Sequence, residues 1–108
     1  MKILLLTLKK EPFEVMITGE KNYEIREFTP WILTRLYERN GSRKNYDVVR
    51  FSNGYRKDSP YFIAEFKGFE TIFSMQDTFS NGFHLEFHDE RIKINLGVII
   101  EMGNLKEC

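Results

Sequence analysis

With 108 residues, of which 42% are hydrophobic, the chain is bounded to one domain, residues 1–108, with a core of its own. Sixteen basic residues cancel sixteen acidic ones, so overall charge gives no argument for nucleic acid. The single cysteine is the final residue, Cys108, which excludes an intramolecular disulfide and points to a reducing, cytoplasmic setting.

The chain opens with Ile3-Leu4-Leu5-Leu6-Thr7-Leu8 between charged flanks. That run is too short for a signal-peptide core or a membrane span, and it reads as a buried strand over residues 2–9. Glu11-Pro12 sets a helix start, with Pro12 near the first helical position, and Phe13, Met16 and Ile17 fall at helical spacing before Gly19. Residues 23–28 read as a second strand. Pro30 restarts the chain into a helix over residues 31–39, closed by Asn40-Gly41, with Trp31 packing that helix onto the sheet. Val48 to Phe51 is a third strand, and Ser52-Asn53-Gly54-Tyr55 carries hairpin chemistry. Tyr61 to Gly68 alternates as a fourth strand. Residues 69–81 fit a short helix or an irregular crossing. Phe83 to Phe87 alternates again, and Ile92 to Met102 forms the last strand or strand pair, kinked near Gly97. This order predicts an α+β fold, a mostly antiparallel sheet curled into a small β-barrel with two or three short helices against it.

Chemistry concentrates in Gly19-Glu20-Lys21-Asn22-Tyr23-Glu24-Ile25-Arg26. Strand period puts Asn22, Glu24 and Arg26 on one face and Tyr23 and Ile25 on the other, with Lys21 in the turn feeding the strand. A Lys, a Glu and an Arg thereby converge beside a helix end. Spacing alone also allows a surface ion pair on an edge strand.

The order of a strand, a helix beginning Pro12-Phe13, and Gly19-x-Lys21-x-x-Glu24-x-Arg26 entering a strand resembles the ASCH domain of the PUA-like superfamily. The match continues through Asp47 to Phe51, Tyr61 to Gly68, and Ile94-x-Leu96-Gly97-x-Ile99-Ile100. The resemblance implies a barrel whose cleft is floored by the motif strand, a stand-alone bacterial or phage-type member, and RNA or a modified nucleoside or nucleotide as ligand. Some family members hydrolyse RNA, and some deacylate a modified cytidine. In the deacylases a Lys matching Lys21 activates a Thr that lies where this chain has Glu24.

On that basis Lys21, Glu24 and Arg26 are the candidate ligand contacts, with Lys21 and Glu24 also the candidate catalytic pair. Lys21 would serve as a base of lowered pKa, and Glu24 would position water or take a proton from a ribose hydroxyl. Arg26 offers a fork of donors for phosphate. Between Arg35 and Asp58, seven basic residues face three acidic ones. There Arg50, Asn53 and Tyr55 are further candidates, for phosphate, a base edge and stacking respectively, although turn chemistry also accounts for Asn53 and Tyr55. His84, Glu86 and His88 share a strand face, but the two histidines would stand ~13 Å apart along a straight strand, so no metal site is assigned. No cofactor is expected. A metal-independent ribonuclease, a nucleoside amidohydrolase and a protein-interaction module remain alternatives to plain RNA or nucleotide binding.

Overall fold

The computed structural model describes residues 1–105, so Cys108 lies outside the described residues. Seven strands and two helices follow in the order β1 (Ile3–Thr7), α1 (Lys10–Ile17), β2 (Tyr23–Arg26), α2 (Pro30–Leu36), β3 (Val48–Ser52), β4 (Tyr61–Ile72), β5 (Met75–Thr78), β6 (His84–Phe87) and β7 (Arg91–Gly103). Five strands form one sheet in the order β1-β3-β4-β7-β2, and β5 and β6 form a separate hairpin. All pairings are antiparallel except β1 with β3.

The sheet curls into a half-barrel. Its terminal strands, β1 and β2, do not pair with each other, so the expected barrel is left open on that side. The curl comes from the long pair β4 and β7, whose register slips three times. Ala64 faces Ile99 while Phe66 faces Leu96, which inserts an extra β7 residue at Gly97-Val98. Phe66 faces Leu96 while Phe69 faces Ile94, which inserts an extra β4 residue at Lys67-Gly68. Gly68 takes a left-handed φ of 87°, suited to a bulge that bends its strand. The kink read at Gly97 thus has a physical basis beyond flexibility: a side chain there would collide with Glu65 and Lys67.

The concave side is filled by Leu4 and Leu6 of β1, Phe13 and Met16 of α1, Ile32 and Leu36 of α2, and Val49, Phe51, Phe62, Ile92 and Ile94 from the sheet. Phe51 stacks on Phe62 at 5.1 Å between centroids, and Phe13 meets Phe62 at 5.4 Å. A second cluster of Val15, Tyr23 and Phe79 lies under the β5–β6 hairpin. Helix α1 begins two residues before Pro12, and the ring is tolerated because the first helical N–H groups have no intrahelical acceptor.

Three local expectations are corrected. The second helix stops at Leu36, not Arg39. Tyr37 turns extended and bridges Arg43, so Asn40-Gly41 serves a tight return, Glu38 N–H donating to Ser42 C=O at 2.8 Å. Trp31 does not anchor that helix. It is 47% exposed with Arg35 stacked over it at 4.6 Å, while Ile32 and Leu36 make the buried face. Asn53-Gly54 does not make a two-residue hairpin either. A longer loop joins β3 to β4, closed by Asn53 N–H to Pro60 C=O at 2.9 Å. The ambiguous stretch 69–81 is the end of β4 followed by β5.

Candidate functional site

The motif turn is built from the end of α1. Gly19 adopts φ 85° and donates to Met16 C=O at 3.0 Å, a C-terminal stop that a side chain would disfavour. Lys21 N–H then donates to Val15 C=O at 3.1 Å. This sends the Lys21 side chain inward, where it is 2% exposed.

The ammonium of Lys21 is satisfied by Tyr23 C=O at 2.7 Å and Glu24 Oε1 at 3.3 Å, with Met16 Sδ at 3.7 Å. It also lies 4.8 Å from the centre of the Tyr23 ring. Glu24 is buried too, and its second oxygen accepts from Arg26 Nε at 2.7 Å. Arg26 Nη2 continues to Thr7 C=O at 2.6 Å. One carboxylate therefore holds two cations on the β2 side, and Arg26 carries the contact across the open seam to β1. Burial pushes the Lys21 pKa below its usual 10.5 and the Glu24 carboxylate pulls it back up; Arg26 adds a smaller downward push.

A cavity of about 500 Å³ opens above this triad, within the size range of small-ligand sites. Its floor is Lys21, Glu24 and Arg26. The first turn of α1 with Thr7 to Lys9, the loop residues Gly54 and Tyr55, and Phe83 and Leu85 complete the walls. The β5–β6 wall is tied down by Tyr23 Oη donating to Asp77 Oδ2 at 2.6 Å and by the Glu20 carboxylate accepting from Ser80 N–H and Oγ at 2.9 and 2.6 Å. Burial, followed by the hydrogen bond to Asp77, raises the Tyr23 pKa.

Of the residues expected at the site, Lys21, Glu24, Arg26 and Tyr55 line this cavity. Tyr55 is 92% exposed at its rim. Arg50 lines a neighbouring cavity instead. Asn53 lines neither, because its side-chain amide donates to Leu8 C=O at 3.0 Å and fixes the loop against the end of β1. The contributions of Phe83 and Leu85 were not anticipated. The strand carrying Leu85 was read, but nothing local says that β5 and β6 fold back over the motif strand. A larger recess of about 930 Å³ beside α2 is an open surface, lined by Leu33, Tyr37, Arg39 and Lys44 without a buried charge.

His84 and His88 each share a hydrogen bond with one oxygen of Glu86, at 3.0 and 2.9 Å. These contacts, His84 first, hold the Glu86 carboxyl below its usual range. Among the described residues no group of three or more His, Cys, Asp or Glu is arranged to hold a metal ion. Among the described residues no helix is long and apolar enough to cross a membrane.

No protein family, no curated protein and no solved structure matches the chain.

Proposed function

We propose that this chain binds RNA or a nucleotide-type ligand in the cleft floored by Lys21, Glu24 and Arg26. The observation that carries the reading is the Lys21–Glu24–Arg26 chain of contacts, two of whose members are buried, directly beneath an open cavity. A buried ion pair often stabilises less than well-packed apolar side chains would, and perturbed ionisable groups in a cleft mark functional sites. Glu24 retains lone pairs to accept from an exocyclic amine, and Arg26 retains N–H groups to donate to phosphate or carbonyl oxygens. Tyr55 presents its ring at the rim, where a base stacks. The resemblance to PUA-like ASCH domains at Gly19, Lys21, Glu24 and Arg26 leads to the same ligand class.

A hydrolase reading draws on the same residues, because burial moves the Lys21 pKa down, the direction a base needs. Glu24 stands where the deacylating relatives of the resemblance carry a hydroxyl, so cleavage here would use an activated water or the ribose hydroxyl. The test is an amide-resolved NMR titration with short single-stranded RNA and with separate nucleosides, each sample then assayed for turnover. Shifts at residues 7–12, 19–26 and 54–55, weakened in Tyr55→Ala, support binding. Product formation adds catalysis. Absence of shifts with every ligand overturns the reading and leaves a protein-interaction module.

A further inference from the structure

Next to the motif cleft lies a second cavity of about 440 Å³, lined by Arg26, Arg50 and Arg56 together with Trp31 and Tyr55. The two cavities share Thr7, Arg26, Gly54 and Tyr55, so Arg26 and Tyr55 form the partition between them. Their electrostatics differ. Glu11 and Glu24 offset cations in the first, whereas among the described residues three arginines and no carboxylate line the second.

Arg26 is already paired with Glu24 at 2.7 Å, so the positive charge left on this cavity is that of Arg50 and Arg56. Arg50 is aimed by its surroundings. Its Nη1 donates to Ser52 Oγ at 3.0 Å, and its guanidinium lies 4.1 Å from the centre of the Tyr61 ring, leaving other N–H groups unused. Arg56 has only a loose, exposed pairing with Asp58 at 3.9 Å, and Asp58 is not in the lining. Tyr55 exposes its ring on the same cavity, where Trp31 is half-exposed with Arg35 stacked over it. Guanidinium forks beside solvent-facing aromatic rings are the composition that holds a phosphodiester and stacks its bases.

We infer that this second cavity is a phosphate subsite, and that the ligand of the motif cleft is a nucleotide or oligonucleotide whose phosphate lies over Arg26, Arg50 and Arg56. The inference rests on the reading of the neighbouring cleft and narrows it, because a free nucleoside would leave the subsite empty.

The test compares uridine, cytidine, adenosine and guanosine with their 5′- and 3′-monophosphates and with inorganic pyrophosphate, by NMR and calorimetry on wild type, Arg50→Gln and Arg50→Lys. The expected result is at least about tenfold tighter binding of a nucleotide than of its nucleoside, an advantage lost in Arg50→Gln and only partly kept in Arg50→Lys, which retains the charge but not the fork. Nucleosides that bind the motif cleft as tightly as nucleotides, with Arg50→Gln changing neither, overturn the subsite and leave the cleft reading standing. Pyrophosphate shifts at Arg50 and Arg56 without any nucleotide binding at residues 19–26 keep the anion site and overturn the cleft reading together with the nucleotide assignment. No shift with any of these probes overturns both.

Discussion

Arg26, on the last strand of the sheet order, donates 2.6 Å to the carbonyl of Thr7 on the first. The seam that no strand pairing closes is therefore bridged by a side chain that also contacts Glu24. Arg26→Gln should lose both charge-assisted bonds. With hydrogen bonds to charged groups worth about 1.5–3 kcal/mol each, and Arg26 partly solvated, a loss of about 2 kcal/mol is expected in denaturant unfolding. Hydrogen exchange should rise selectively in β1 and β2. An unchanged exchange pattern would mean that α1, not Arg26, holds the seam.

Among the described residues Glu24 is the only carboxylate in contact with the buried Lys21 ammonium, at 3.3 Å. Glu24→Ala leaves that charge uncompensated, and breaking a buried pair costs about 3–5 kcal/mol. Lys21→Met combined with Glu24→Leu should recover much of that stability while abolishing ligand binding. A single Glu24→Ala variant as stable as wild type would show that water reaches Lys21 and that the triad is effectively solvated.

Tyr55 gives the opposite signature. Its side chain is almost wholly exposed, so Tyr55→Ala should leave stability within about 0.5 kcal/mol of wild type. If a base stacks there, worth about 1–3 kcal/mol, affinity for single-stranded RNA should fall about five- to 150-fold. Equal affinity in the variant would remove Tyr55 from the site.

The triad was legible from the sequence because its geometry is local. Period-two alternation puts Glu24 and Arg26 on one face, and Gly19 marks the turn that delivers Lys21. Its burial was not legible. Edge-strand charges are ordinarily solvated, and it takes α1 on one side and the β5–β6 hairpin on the other to cover β2. The strands at Val48–Phe51 and Tyr61–Gly68 were also legible, although the loop that joins them was not. Two other elements were not. The Trp31 helix was read from its largest apolar residue, whereas Ile32 and Leu36, four apart, define the buried stripe. The hairpin wall begins with Met75-Gln76-Asp77-Thr78, three of them polar and two exposed, and its attachments through Asp77 and Ser80 are long-range side-chain bonds that leave no period.

Gly97 tests the curl of the sheet. A Cβ at this position would lie 2.9 Å from Glu65 Cβ and 2.7 Å from Lys67 Cε, so β4 and β7 would have to separate at their bulge. Gly97→Ala should cost about 1–3 kcal/mol, the usual penalty for forcing atoms into a filled site. Val98 N–H should also lose protection, since it donates to Glu65 Oε1 at 3.0 Å. Full protection at Val98 with unchanged stability would show that the Lys67 and Glu65 side chains simply swing aside.

Lys21 and Tyr23 should oppose each other in the alkaline range. Burial holds Lys21 below its usual 10.5. Between its folded value and 10.5 the unfolded chain binds more protons, so stability rises with pH as the cost of the buried charge is relieved. Tyr23 is raised above its usual 10.0 by burial and by Asp77. Above 10.0 the folded chain keeps a proton that the unfolded chain releases, so that contribution falls with pH. In wild type the two slopes partly cancel. Urea midpoints measured between about pH 8 and pH 11 should fall more steeply in Lys21→Met than in wild type, and less steeply in Tyr23→Phe. Tyr23→Phe should also lose about 1–2 kcal/mol near neutral pH, from the bond to the Asp77 carboxylate. Parallel pH profiles for all three proteins would show that neither group changes its proton affinity on folding, and would remove the basis for treating Lys21 as a tuned base.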